Sequence, residues 1–450
     1  MISKSSFIRG MQCPKSLWLH LNQPDDRDEI SKQQQQVFDI GHNIGFLAQQ
    51  LFPGGIDVSR GDHSKIFEAV TFTKELIAKG QPVIYEAAFS DGETLCYMDI
   101  LVKEKDGWAA YEVKASTGIK DYQIMDVAFQ YFAINGSGLP LKRVSLVHLN
   151  NQYVRRGDLD IRQLFTIEMM NDRVIPMQET IPGELLKLQQ MLKTGAMPDI
   201  SMGRQCTKPF PCDFQGFCSQ SCAPDEENNP NPVRRDQGAL DEFLAQLEYP
   251  LYFMDFETIQ FAVPQYDESR PYQQIPFQWS VHIIQSSEVE RKRSSENIQH
   301  HEYLGIPPAD PRAEFIRSLL DHLGDHGSVI VWNQAFEKTR LKEIARDFPE
   351  FSDRIESVLE RVVDLMIPFR RKHLYTPEMN GSYSLKAVLP ALVPDLSYDD
   401  LEIQEGGKAS ETYESLYNDT DPESIIRKRE NLLRYCEMDT LSMVRILEKL

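Results

Sequence analysis

Apolar and polar positions along this chain change period several times, and each change predicts an element. Residues 4–20 read as a short helix, a turn at Cys13-Pro14 and a second helix. Residues 31–52 form a helical stretch containing Gln33 to Gln36. Gly41 and Gly45 fall one turn apart in it, a spacing that allows close helix packing. Residues 64–79 give an amphipathic helix ending near Gly80. Alternation then takes over at 82–89, 94–102 and 108–114, joined by Asp91-Gly92 and Asp106-Gly107, dipeptides suited to hairpin turns. A helix is expected at 122–133, a strand at 143–149 and helices through 160–196. Residues 223–237 carry three prolines among polar groups and read as a linker. Beyond them, strands are expected around Leu251–Thr258, within 271–282 and at Val329–Val331, with a helix at 312–323. Another helix begins at Tyr383, residues 404–421 read as loop, and 424–449 close the chain as a helix with an apolar stripe of Leu432, Leu433, Leu441, Val444 and Leu447. The pattern is α/β, with two domains, 1–222 and 238–450, on either side of a 223–237 linker.

The most informative stretch is Tyr252-Phe253-Met254-Asp255-Phe256-Glu257-Thr258. Asp255 and Glu257 are two apart on a strand, so both carboxylates project from one face. Like charges on an apolar strand are costly unless neutralised, and Mg²⁺ or Mn²⁺ is the simplest partner. The alternative is a strand end whose acids reach solvent. Two later pieces bear on the choice. After Val329–Val331 come Asn333 and, at a helix start, Glu337; in the closing helix Tyr435 and Asp439 stand at i and i+4, on one face.

The N-terminal half has its own candidates. Glu112 and Lys114 share a strand face, and Asp99 on the neighbouring strand can stand beside Glu112. Two acids and a lysine suit metal-assisted hydrolysis, the acids holding Mg²⁺ while the lysine orients water and offsets phosphate charge. Cross-strand ion pairs on a surface hairpin are the alternative. Of seven cysteines, Cys206, Cys212, Cys218 and Cys222 crowd into one short span, which in an intracellular protein argues for metal or iron–sulfur chemistry over disulfides. Cys96 and Cys436 read as lone core cysteines.

The order Asp-x-Glu, Asn-x-x-x-Glu, Tyr-x-x-x-Asp resembles the DEDD 3′–5′ exonucleases, of DnaQ-like, ribonuclease H-like fold, in their tyrosine-bearing (DEDDy) subclass; the likeness runs from about Glu248 to Leu450. It implies that Asp255, Glu257, Glu337 and Asp439 bind two metal ions and that Tyr435 orients the attacking water. Glu337 stands where the family usually has Asp. Phe277, Gln278 and Trp279 fall where the family flanks the nucleotide, although a tryptophan there also suits the core. Glu86, Asp99, Glu112-Val113-Lys114 and Gln130 resemble the site of RecB-type PD-(D/E)xK nucleases. That family often adds a Gly-x-x-x-His on an early helix; here the glycine is Gly45 and His42 is offset from it. Cys13 before this core, with Cys206, Cys212 and Cys218 after it, resembles the iron–sulfur staple of Cas-four and AddB-type nucleases. It implies a [4Fe–4S] cluster, with Cys222 as an alternative ligand and a zinc site as the competitor.

Composition narrows the picture. The chain has 450 residues, 41% hydrophobic, and no apolar run long enough to span a bilayer. The first residues lack the apolar run of a signal peptide, so a cytoplasmic protein without a membrane partner is expected. A net charge of −20 disfavours diffuse attraction to nucleic acid. Backbone contacts would then fall to local strips such as Arg291–Arg293, Arg370–His373 and Arg427–Arg429, which also read as solvated surface runs. The resemblance to these nucleases implies nucleic acid as the partner, DNA with single-stranded ends first and RNA second. Protein partners are not indicated.

Overall fold

Hydrophobic runs bounded by turn residues build two large sheets here, with buried polar groups set among their apolar side chains. The computed structural model describes residues 1–59, 65–220, 233–286 and 298–450. These divide into two units: Met1–Glu226 with Ala262–Tyr272, and Glu227–Phe261 with Gln273–Leu450. The chain is mixed α/β, and among the described residues no helix is long and apolar enough to cross a membrane. Residues 221–232, Cys222 among them, and the Arg291–Arg293 strip lie outside the described residues.

The first unit is a seven-stranded sheet. Strands β2 (Ile56–Asp57), β3 (Val83–Ser90), β4 (Thr94–Glu104), β5 (Gly107–Lys114), β6 (Leu141–Leu149) and β7 (Phe165–Met169) lie side by side, and β1 (Ile2–Ser3) pairs with the start of β4. The β3–β4–β5 meander is antiparallel, whereas β6 runs parallel to β5 after a crossover through the helix Asp121–Gly136. Side chains alternate across β5. Trp108 and Ala110 join the core beneath that helix, and Ala109 and Tyr111 pack on the other face with Ile44, Val147 and Leu149. Segment Ala262–Tyr272 belongs to this unit, with Ala262 in the second of these clusters, a placement that division at a single linker does not anticipate.

The second unit is a five-stranded sheet, ordered β11 (Gln299–Leu304), β10 (Gln274–Ile284), β9 (Leu251–Gln260), β12 (Ser328–Val331), β13 (Val362–Asp364). Beside it stands a short pair, β8 (Arg234–Arg235) with β14 (Leu374–Tyr375). On β9, Tyr252, Met254 and Phe256 face an apolar core completed by Trp279, Val281, Phe315, Ile316 and Leu319. Asp255 and Glu257 therefore face the opposite way, under the closing helix Pro422–Leu447.

Several expectations are corrected. The span 160–196 is not all helix: Phe165–Met169 is an edge strand antiparallel to β6, anchored by buried Leu164 and Phe165. Residues 404–421 are not all loop, because Gly406–Ser415 is helical. Its buried Ala409 and Tyr413 stand at i and i+4, and Tyr413 stacks on Phe277 with ring centroids 3.8 Å apart. Phe277, Gln278 and Trp279 are fully buried and cannot meet a nucleotide base. Gln278 Nε2 instead donates to Leu432 O at 2.7 Å, and Trp279 Nε1 to Phe315 O at 3.1 Å. No atom among the described residues lies within 4 Å of a Cβ built on Gly41 or Gly45, so these glycines mark no close helix packing.

Candidate functional site

The acids of β9 meet the closing helix. Carboxylate oxygens of Asp255, Glu257 and Asp439 lie within 4.8 Å of one another, drawn from positions 184 residues apart. Strand geometry sets the first two; the i, i+4 spacing on the helix brings Tyr435 to the same side as Asp439. Tyr398 donates its hydroxyl to Asp439 Oδ1 at 2.5 Å. Lys386 Nζ donates to the Tyr435 hydroxyl at 3.0 Å and lies over the rings of Tyr398 and Tyr435. The Cys436 thiol sits 3.8 Å from Asp255 Oδ2, so this buried cysteine borders the site.

Electrostatics mark these acids as under-neutralised. Burial, then the charges of Asp439, Glu257 and Glu337, pushes Asp255 well above the ordinary carboxylate range. Glu257 rises for the same first reason and from Asp439, opposed by Lys386. Asp439 is pushed up to about 6 by burial, although Tyr398, Lys386 and Tyr435 ease its charge. Tyr435, buried among carboxylates, has its hydroxyl pushed far upward and stays protonated. Glu337 is also buried, in the first turn of the helix Gln334–Asp347, and burial raises it to about 8. Among the described residues its Oε2 has no hydrogen-bond partner. It lies in the field of Asp255 but outside the 4.8 Å group. Were these acids to hold Mn²⁺, removing the Tyr398 hydroxyl would weaken its binding about tenfold, the lower end of what outer-shell partners contribute. Calorimetric titration of Tyr398→Phe checks this.

In the first unit, β5 aims Glu112 and Lys114 beneath the helix Asp121–Gly136. Glu112 is 1% exposed, and its Oε1 accepts from Lys114 Nζ at 2.7 Å and Lys4 Nζ at 2.8 Å. Gln130 Nε2 donates to Glu112 Oε2 at 2.6 Å, and Lys114 also pairs with Asp126. Burial works to raise Glu112, but the two lysines hold it well below the usual range. Asp99 accepts the Val113 amide at 2.6 Å and, buried beside Glu112, is pushed up to about 7. Pairing on β3 passes from Tyr85–Ile100 to Ala87–Met98, leaving Glu86 across from Asp99 in a left-handed conformation, φ 50°. Such strain in a strand aims a side chain out of the pleat. Glu86 rises to about 8, from burial and then the charges of Asp99, Asp57 and Glu112. Glu86, Asp99, Glu112, Lys114 and Gln130 thus share one neighbourhood, while His42 is exposed on its helix.

Four cysteines also converge. Cys13, Cys206, Cys212 and Cys218 line one pocket, with Ser16 and Phe214. All are free thiols. Arg9 clamps Asp213 at 2.5 and 2.9 Å, and Gln12 Nε2 donates to Gln205 O and Phe210 O, both at 2.8 Å. The N-terminal helices Lys4–Gln12 and Pro14–Asn22 are thereby tied to the cysteine-rich segment. Burial, with the neighbouring thiols, raises Cys218.

Lys4, Asp126, Lys386 and Tyr398 escaped the reading of the sequence. Asp126 had a signal, since it stands four residues before Gln130 on one helix face. Lys4, Lys386 and Tyr398 had none, because each reaches its site from a distant segment. Of the basic strips, Arg370 faces Asp364 at 3.9 Å, Lys428 pairs with Asp419 at 2.7 Å, and Arg429 donates to the carbonyls of Leu304 and Gly305.

Comparison with known proteins matches residues 252–384 to a domain of unknown function, DUF2779, a segment that holds Asp255, Glu257 and Glu337 and ends before Tyr435 and Asp439. The chain is 31% identical over 216 residues to an uncharacterised protein of Mycoplasma pneumoniae, covering 44% of this chain and 32% of that one. It is 26% identical over 239 residues to an uncharacterised protein of Ureaplasma parvum, covering 48% and 33%. A Mycoplasma genitalium protein, also uncharacterised, is 27% identical over 210 residues, covering 43% and 31%. The chain therefore spans about a third of the length of the curated relatives it matches.

Proposed function

We propose that this chain is a metal-dependent nuclease that trims nucleic-acid ends, with a 3′–5′ exonuclease reaction at the Asp255 site and a second hydrolytic site around Lys114. The observation that carries the reading is the meeting of Asp255, Glu257 and Asp439 beside Tyr435. An all-oxygen, all-acid donor set with raised proton affinity fits Mg²⁺ or Mn²⁺, hard cations that prefer carboxylate. Asp255, Glu257 and Asp439 would hold the metal, with Glu337 and its unpartnered Oε2 as the fourth acid. Bound there, such ions supply an activated water and neutralise charge on the leaving oxygen. Held by Lys386, the Tyr435 hydroxyl would orient the attacking water. A phosphodiester is the substrate this chemistry would suit, and a single-stranded end is the form able to reach acids this buried.

At the N-terminal site, Asp99 and Glu112 would hold a metal, Gln130 fixes Glu112, and Lys114 offsets charge on the phosphate, with Glu86 beside them. One observation favours a second reading, in which only the Asp255 site cuts and the first unit binds ends: Lys4 and Lys114 already neutralise Glu112 and Asp126.

The cysteine pocket fits a four-thiolate group. Cys13, Cys206, Cys212 and Cys218 would hold a [4Fe–4S] cluster, with a four-thiolate zinc site as the competitor. Protein purified without oxygen should be brown and lose its visible absorption in Cys212→Ser; a colourless, zinc-loaded protein would reject the cluster.

The function is tested with full-length protein, Mn²⁺ and matched end-labelled single strands of DNA and RNA. Shortening from the 3′ end, stopped by a chelator, is expected. Intact DNA and RNA after prolonged incubation would overturn the proposal.

A further inference from the structure

The sheet face that carries Asp255 continues into a second donor set, separate from the three acids. Ser280 on β10 lies across from Asp255; His282, two residues on, lies across from His300 on β11. Both histidines share the Asp255 face, which the closing helix covers. From that helix comes Glu437. His282, His300 and Glu437 each offer one ligand atom, and the three atoms lie within 4.8 Å of one another.

Hydrogen bonding decides which atoms are free. Thr440 is fully buried, and its hydroxyl reaches the helix carbonyl of Glu437 at 3.0 Å. With that proton used on the helix, Thr440 Oγ1 accepts from its other two neighbours, the Ser280 hydroxyl and His282 Nδ1, each at 2.8 Å. Ser280, having donated to Thr440, accepts from His300 Nε2 at 2.9 Å. Each imidazole therefore carries its proton on the nitrogen held by a hydroxyl. The lone pairs remain on His282 Nε2 and His300 Nδ1, and His300 Nδ1 lies 3.8 Å from Glu437 Oε1. Metal-binding histidines are oriented in this way, through an anchored second nitrogen.

We propose that His282 Nε2, His300 Nδ1 and the Glu437 carboxylate bind a divalent transition metal, zinc in preference to magnesium. Two imidazoles and one carboxylate suit zinc, whereas magnesium takes oxygen donors. Three protein ligands leave a fourth position open to water or to an anion. Tetrahedral zinc sets donors about 3.3 Å apart, so side-chain rotation closes the present spacing when the ion binds.

The test counts zinc in full-length protein stripped with a chelator, reloaded and dialysed. His300→Ala and Glu437→Gln should each bind one zinc equivalent fewer than wild type, whatever the carboxylate and cysteine sites hold. Asp255→Asn/His300→Ala should bind one fewer than Asp255→Asn alone, which separates the two sites and does not depend on nuclease activity. Thr440→Val should weaken this equivalent ten- to a hundredfold. Glu437 is half-exposed, so Glu437→Gln keeps the test available should His300→Ala not fold. Equal zinc counts in wild type, His300→Ala and Glu437→Gln would overturn the proposal.

Discussion

Asp255→Asn should lose about a thousandfold or more in metal-dependent 3′ trimming and, without metal, melt higher than wild type. The first effect follows from removing a donor from a three-carboxylate set, which exceeds the ten- to hundredfold typical of an outer-shell loss. The second follows from the electrostatics. Asp255, Glu257 and Asp439 are buried together, and all three have raised proton affinity. For an acid raised in the folded state, the folded protein keeps protons that the unfolded chain releases. Its stability is complete below the ordinary carboxylate range of about 4 and declines as pH rises toward the folded value. Asp439 at about 6 and Glu337 at about 8 place that decline between roughly pH 4 and pH 8. Metal-free wild type should therefore lose melting temperature across this window, and Mn²⁺ should restore it, by about 2.7 kcal/mol at a hundred times its dissociation constant. Asn removes one charge and flattens the decline. Calorimetry from pH 4 to pH 8, with and without Mn²⁺, checks both signs. A metal-free Asp255→Asn protein less stable than wild type at pH 8 would show that Asp255 serves the fold and not a cation.

Lys114→Met should destabilise the first unit by about 3 kcal/mol and abolish any cleavage by that unit. Lys114 is bonded to Glu112 and Asp126, both buried, and removing one partner of a buried ion pair typically costs about 3–5 kcal/mol. The lower end applies because Lys4 still reaches Glu112 at 2.8 Å and Asp126 at 3.8 Å. Urea unfolding measures the stability, and Lys114→Arg separates it from catalysis, since it keeps the charge while altering the head group that would meet a phosphate. If Lys114→Arg retains stability and every cut seen in wild type, the first unit contributes no lysine-dependent chemistry. That result would favour the reading in which it only binds ends.

Much of the site was legible because its spacing is local. Asp255 and Glu257 share a face by strand alternation, Tyr435 and Asp439 by helical repeat, and Glu112 and Lys114 by alternation again. Those periods are properties of the backbone and hold before any tertiary contact forms. The helix Gly406–Ser415 and the strand Phe165–Met169 were illegible for the opposite reason. Their polar composition carries a weak pattern, and each is held by long-range packing: Tyr413 on Phe277, and Phe165–Met169 on β6. Phe277, Gln278 and Trp279 look suited to stacking on a base in sequence, yet the sheet and the closing helix bury them completely.

Sequence alone determined which side chains share a face within one element, because the pleat and the helical turn repeat regardless of context. Tertiary structure alone decided which faces meet. It set Asp439 against Asp255, brought Lys4 to Glu112, gathered Cys13 with Cys206, and turned His282 and His300 toward Glu437. Each of those encounters joins segments whose separation along the chain carries no periodic signal, and it is settled by how two apolar surfaces pack.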